Sequence, residues 1–172
     1  KSKRRRSGST TEPDYGTLFD DWFVPEGSSL AMAELNRPLV EVELAFVLGS
    51  TLRGPGINAA DVVRATDFVL PAIEIVDSRY NAWGPNLLVD SISDAASCGL
   101  VVLGANPARL TDIDVGRIGA ALLRNGQVEE SGVAAAVMGN PVSAVVWLAN
   151  TLHRYDVAIE AGQVVLSGSF LK

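Results

Sequence analysis

From Leu39 to Leu48 the chain alternates apolar and charged positions, and the alternation predicts a strand. Side chains two apart on a strand share a face, so Glu41 and Glu43 project together while Val40, Val42 and Leu44 fill the other side. Arg53-Gly-Pro-Gly56 breaks the pattern. Asn58 then caps a helix predicted to run to about residue 69, with Asp61 favourable in its first turn. Pro71 is expected to stop that helix, and 72–77 reads as a second buried strand carrying Glu74. The turn-rich 80–86 leads into a helix or irregular stretch through Ser97 and a strand over 99–103. Ala120, Leu122 and Arg124 alternate into Asn125-Gly126, which predicts a hairpin over 118–128 closed by a type I′ turn. Asn140 caps and Pro141 opens a helix with Val142, Val145, Val146, Ala149 and Leu152 on one face, Trp147 and His153 falling to its flanks. A last strand follows over 164–169.

Residues 1–38 lack periodicity and read as mostly loop with short strands, docked by Tyr15, Leu18, Phe19, Trp22 and Phe23. The element order is not a regular βαβ alternation. The expected fold class is therefore α+β, a sheet-rich mixed β core with a few flanking helices.

A carboxylate pair on a strand repels unless it is solvated, protonated or holding a cation. Glu41 and Glu43 lie in an apolar stretch, and Glu74 is a third glutamate in a similar setting. A solvent-facing pair is the plain alternative. If a cation is held, oxygen ligands without cysteine or histidine suit magnesium, manganese or calcium better than zinc.

Composition narrows the classes further. The 172 residues are 48% hydrophobic, as expected of one domain able to bury a core, and the formal charge of −6 argues against nucleic acid as partner. The basic run Lys1-Ser-Lys-Arg-Arg-Arg6 opposes that balance; it either binds anions or is a solvated end. The single Cys98 cannot form an intramolecular disulfide and sits among small apolar residues as a packing thiol. No apolar run is expected to reach the roughly 18 residues needed to cross a bilayer, and no signal-peptide core is evident, so the cytoplasm is the default compartment. His153, at a helix end where positive charge suits the dipole, needs no catalytic role.

Several motifs in order carry a resemblance: Pro13-Asp-Tyr-Gly16, Val40-Glu-Val-Glu-Leu-Ala-Phe46, Pro71-Ala-Ile-Glu-Ile-Val-Asp-Ser-Arg79, Asn125-Gly126, Gly139-Asn-Pro141, Trp147-Leu-Ala-Asn150 and Gly162-Gln-Val-Val-Leu-Ser-Gly-Ser169. Together they resemble the 2-hydroxypentadienoate (2-oxopent-4-enoate) hydratases and their 4-oxalocrotonate decarboxylase relatives, within the fumarylacetoacetate hydrolase superfamily. The resemblance implies a single catalytic domain over 1–172 that continues at both ends in family members. It implies Mg²⁺ or Mn²⁺ on Glu41, Glu43 and Glu74, chelating a carboxylate oxygen and the 2-oxo oxygen of the substrate.

Asp14 is the family-matched acid/base, or else a turn-former capping its own backbone. Asp94 is a second catalytic candidate, and Ser97 a contact for substrate or water. Arg79 binds a substrate carboxylate or pairs structurally with Asp77 or Asp90. The implied reaction hydrates a 2-hydroxy-2,4-dienoate from aromatic meta-cleavage to a 4-hydroxy-2-oxo acid, with 4-oxalocrotonate decarboxylation as the alternative. Implied partners are further copies of the chain and, in the hydratase case, a decarboxylase.

Two departures stand out. The family's Lys-x-Gly-Leu-Thr-Ser-Lys stretch is represented only by Ser2-Lys3, so its active-site lysine falls before residue 1. The family's Asp-Asn-Ala-Ser is here Asp94-Ala-Ala-Ser97. The missing lysine and the short C-terminus motivate a reading of another class, a truncated non-catalytic scaffold subunit.

Overall fold

The structure, a computed structural model, describes residues 13–81 and 87–171. The basic run at residues 1–6 and most of the 80–86 connection lie outside the described residues. Five strands form one sheet in the order β1 (Phe23–Val24), β4 (Cys98–Leu103), β3 (Thr66–Val76), β2 (Leu39–Leu48), β7 (Val164–Leu166). A separate hairpin pairs β5 (Gly119–Arg124) with β6 (Gln127–Val133), and the helices are α1 (Ala59–Ala65), α2 (Leu88–Ser93) and α3 (Pro141–Leu152). The α+β expectation holds.

The chain divides into two compact units. One comprises residues up to Val40 together with Glu74–Val101, the other Glu41–Ile73 with Val102–Lys172. The second holds the main core, in which Leu44, Phe46 and Leu48 of β2 pack with Val62, Val69, Val145, Ala149 and Val165. Antiparallel pairing sets Ala45 opposite Leu166 and Phe46 opposite Val165, so the even-numbered side chains of β2 face that core. The odd-numbered ones face the other way. In the first unit, Ile75, Cys98 and the fully buried Val101 are the buried apolar residues among those described.

Local chemistry accounts for the clearest elements. Asn125 and Gly126 both have positive φ, 53° and 79°, as a type I′ turn requires, and Arg124 pairs with Gln127 across it. The Asn140 side chain accepts a 2.9 Å hydrogen bond from the Val142 N–H, and Pro141 occupies the first helical turn. Asn58 and Asp61 complete a reciprocal capping box at the start of α1.

Two expectations need correction. The helix capped by Asn58 ends at Ala65 rather than near residue 69, where the Thr66 hydroxyl donates to the Val62 carbonyl. The following Thr66, Phe68 and Val69 are β-branched or aromatic and enter β3, which runs through Pro71 without breaking. Its carbonyl still accepts from the Gly104 N–H, just past the end of β4, so proline costs the strand only the donor it lacks. Secondly, Ala134–Tyr155 does reach the length and mean hydropathy, 1.2, of a membrane span. Yet α3 itself has 12 residues, about 18 Å of helix against a hydrocarbon core of about 30 Å, and Val145 and Ala149 lie in the protein core. It is no clear membrane span.

Replacing the α3 cap, Asn140→Ala, should cost about 1 kcal/mol in equilibrium denaturation. An unchanged midpoint would mean the cap contributes nothing.

Candidate active site

Strand period and core packing bring the three glutamates together. Leu44, Phe46 and Leu48 anchor one face of β2, so Glu41 and Glu43 must leave from the other. Glu41, Glu43 and Glu74 each present one carboxylate oxygen, and these oxygens all lie within 4.8 Å of one another. Glu43 is 3% exposed and Glu74 9%. The Gly168 N–H donates to Glu43 Oε2 at 2.7 Å, which fixes the rotation of that carboxylate. Gly168 has φ +107°, a conformation that a side chain would strain.

Carboxylates this close and this withdrawn from water repel. Oxygens sharing one octahedral ion at about 2.1 Å lie about 3 to 4 Å apart, so modest side-chain rotation would close this set around a divalent cation. The donor set is all carboxylate, which fits a hard ion.

The remaining candidates lie in the first unit, on a second constellation. Asp94 is 6% exposed, and its carboxylate accepts from the Ser78 hydroxyl at 2.9 Å, the Ser97 hydroxyl at 2.8 Å and Arg79 Nε at 2.7 Å. Burial pushes this carboxyl up, but the Ser97 and Ser78 hydrogen bonds, the Arg79 charge and the Arg79 N–H together outweigh it. The Asp94 carboxyl is left below its ordinary value. Arg79 is occupied in turn. Its Nη2 donates to the Asp94 carbonyl at 2.6 Å, both Nη atoms donate to the Cys98 carbonyl, and its guanidinium carbon sits 5.1 Å from the Trp22 ring centre.

The ion pair of Arg79 is thus with Asp94, not with Asp77 or Asp90. Asp77 accepts the Asn36 and Arg37 backbone N–H groups, and Asp90 accepts the Leu87 N–H at the start of α2.

Arg79 and Asp94 bracket a strained segment. Ala95, Ala96 and Ser97 have φ of 52°, 56° and 64°, three successive left-handed residues without a glycine. Each such residue costs on the order of 1–2 kcal/mol. Asparagine tolerates this region far better than alanine, which gives a physical reason for the amide in the resembled family's Asp-Asn-Ala-Ser and a cost to Ala95 here.

Asp14 is exposed and accepts from the Ser91 hydroxyl at 2.5 Å. Sequence reasoning missed Ser91 and Ser78. An isolated serine carries no pattern of its own, and these two meet their carboxylate partners only in the folded chain. Cys98 is 1% exposed, a packing thiol, and His153 is exposed just past the end of α3.

The fold is of the α+β class, with an all-carboxylate cluster suited to a hard cation, and comparisons with known proteins agree with that class. No protein-family model matches the chain. It is 45% identical over 171 residues to the 2-oxo-hept-4-ene-1,7-dioate hydratase of Escherichia coli, covering 96% of this chain and 64% of that protein. Other curated hydratases match within 40–45% identity. The 4-oxalocrotonate decarboxylase from Pseudomonas putida G7, complexed with magnesium and adipate, superposes with a TM-score of 0.90 at 34% identity, over 94% of this chain and 61% of that one.

A Yersinia pestis CO92 protein assigned to the fumarylacetoacetate hydrolase family shares the fold alone, at TM-score 0.54 and 16% identity over 76% of this chain and 59% of that one. Over more than nine tenths of its length the chain is similar to the 2-keto-4-pentenoate hydratases and to 4-oxalocrotonate decarboxylase, and it has the fumarylacetoacetate hydrolase fold. It spans about three fifths of the length of the curated relatives it matches.

Two outcomes test this constellation. Ala95→Gly should raise stability by about 0.5–1 kcal/mol, the left-handed strain relieved less the entropy a glycine adds to the unfolded chain; a loss in denaturant titration would contradict it. The second concerns pH. The unfolded chain takes the Asp94 proton near pH 3.8 while the folded chain resists it, so this stabilisation is present above pH 3.8 and lost as pH falls through the lower folded value. Asp94→Asn should lower stability at neutral pH and flatten that acid limb, whereas a curve parallel to the parent's would rule the effect out.

Proposed function

We propose that the chain is the metal-binding part of a hydratase that adds water to a 2-hydroxy-2,4-dienoate of the 2-oxopent-4-enoate type, giving a 4-hydroxy-2-oxo acid in aromatic meta-cleavage catabolism. The observation that carries this reading is the cluster of Glu41, Glu43 and Glu74. These three residues would hold Mg²⁺ or Mn²⁺, and the ion when bound would act as a Lewis acid on the 2-oxo oxygen.

The chain's own residues supply the rest. Glu41, Glu43 and Glu74 would hold the cation, which when bound would orient the 2-oxo acid end of the substrate. Asp14, by the family resemblance, takes the proton of the 2-hydroxyl as C5 gains one, which turns the dienol into an enone. Water then adds its oxygen at C4, and C3 takes up the proton, with Asp14 relaying it.

For Asp94 and Arg79 the hydrogen bonds favour a framing role over proton transfer or substrate contact. A carboxylate already receiving donors on both oxygens, and held below its ordinary proton affinity, is a poor acid near neutral pH. Ser97 belongs to the same frame. Assembly into a homo-oligomer, cooperation with a decarboxylase and a cytoplasmic setting complete the proposal.

One neighbour supports a second reading. The similarity to a 4-oxalocrotonate decarboxylase extends it to loss of carbon dioxide from a vinylogous β-keto acid, because the same carbonyl polarisation drives both reactions.

The intact protein with Mg²⁺ should convert 2-hydroxypenta-2,4-dienoate without releasing carbon dioxide; stoichiometric release from 4-oxalocrotonate, without hydration, would replace the first reading by the second. Glu74→Gln should weaken Mg²⁺ binding in calorimetry and lower kcat/KM by about 100-fold, as expected for removing about 3 kcal/mol of Lewis-acid stabilisation. Unchanged Mg²⁺ binding would remove Glu74 from the site.

A further inference from the structure

The Pro13–Gly16 loop is held against the segment that follows α2 at two points. Ser91, 8% exposed in the middle of α2, donates its hydroxyl to Asp14 Oδ2 at 2.5 Å. Two residues on, Gly16 lies so close to the backbone of Ala95 that a Cβ there would fall 2.2 Å from the Ala95 carbonyl carbon and 2.4 Å from its oxygen. Only glycine permits that approach. The partner segment is itself fixed, because Arg79 donates to the carbonyls of Asp94 and Cys98, the residues immediately flanking 95–97, while Ser97 and Arg79 hold the Asp94 carboxylate.

Asp14 is an exposed residue on a loop, and an unrestrained carboxylate there would rotate freely. The Ser91 hydroxyl removes that freedom at one oxygen. Asp14 Oδ1 accepts no hydrogen bond among the described residues. The division of labour is the one expected of a carboxylate that exchanges a proton: one oxygen held, the other presented.

Resting on the reading of Asp14 as the acid/base, we infer that Ser91 is a positioning residue for proton transfer, acting through Asp14. The Arg79 clamp on residues 94–98 sets the distance between Ser91 and the loop. Ser91 touches neither substrate nor metal in this scheme. Its contribution is the orientation of one carboxylate.

The test compares Ser91→Ala, Ser91→Thr, Asp14→Asn and the Ser91→Ala/Asp14→Asn double variant in the intact protein with Mg²⁺ and 2-hydroxypenta-2,4-dienoate. Ser91→Ala should keep the melting profile and KM of the parent but lose about 10-fold in kcat, the scale of one hydrogen bond to a charged group. Ser91→Thr should restore most of the loss, since it keeps the hydroxyl. The double variant should be no slower than Asp14→Asn alone.

Parent-like kcat in Ser91→Ala, with Asp14→Asn inactive, overturns the inference while leaving the hydratase reading intact. A loss that appears in KM, or that adds fully to that of Asp14→Asn, overturns it as well. A parent protein that does not hydrate the dienoate overturns the functional reading itself, and full activity in Asp14→Asn overturns the assignment of Asp14.

Discussion

The buried apolar face of β2 is the constraint on which the rest of the structure depends. Glu41, Glu43 and Glu74 would separate if their backbones allowed it. They cannot, because the same β2 that presents two of them buries Leu44, Phe46 and Leu48 on its other face, and Phe46 is wholly inaccessible. A slip of one residue would send both glutamates into the apolar core and three core residues out of it. The hydrophobic effect thus fixes the register, and the register fixes the charges. The cluster so held offers an all-carboxylate donor set to a hard cation, and the Gly168 N–H on Glu43 keeps one carboxylate from turning away.

A second constraint operates in the unit that carries Asp14. Three successive left-handed residues, none of them glycine, are an unfavourable stretch that persists only where the surroundings over-determine it. Here they do, through Arg79, Ser78 and the Asp94 carboxylate. Aspartate is required at position 94 because it must accept several donors at once, and arginine at position 79 because a planar fork reaches two carbonyls and a carboxylate together. On the proposed reading, that arrangement makes a frame of two residues that have the chemistry of a catalytic pair. The strain has a use if the segment must keep its backbone open at Ala95, where Gly16 comes too near for any side chain.

The parts legible from the sequence were those governed by local rules. Alternation set the face of Glu41 and Glu43, the Asn125-Gly126 turn needed only its own two residues, and Asn140 with Pro141 marked the start of α3. What was not legible depended on partners distant in sequence. The boundary between α1 and β3 moved to Ala65 because residues 66–70 gain more from the sheet than from one further turn of helix, and Pro71 stays within β3 with its carbonyl still met by the Gly104 N–H. Arg79 took Asp94 rather than the nearer Asp77, since Asp77 is engaged by the backbone of Asn36 and Arg37. Of the candidate site, the three glutamates came from pattern together with resemblance, while Ser91 and Ser78 had no signal until the chain was folded.

The central claim is that the three glutamates hold one hard divalent cation for a 2-oxo acid. The most direct measurement is a crystal structure of the intact protein grown with Mn²⁺ and oxalate, located by anomalous scattering. The account predicts a single peak at about 2 Å from a carboxylate oxygen of each of Glu41, Glu43 and Glu74, with oxalate completing the coordination. A peak elsewhere, or none between these residues at saturating Mn²⁺, would contradict it.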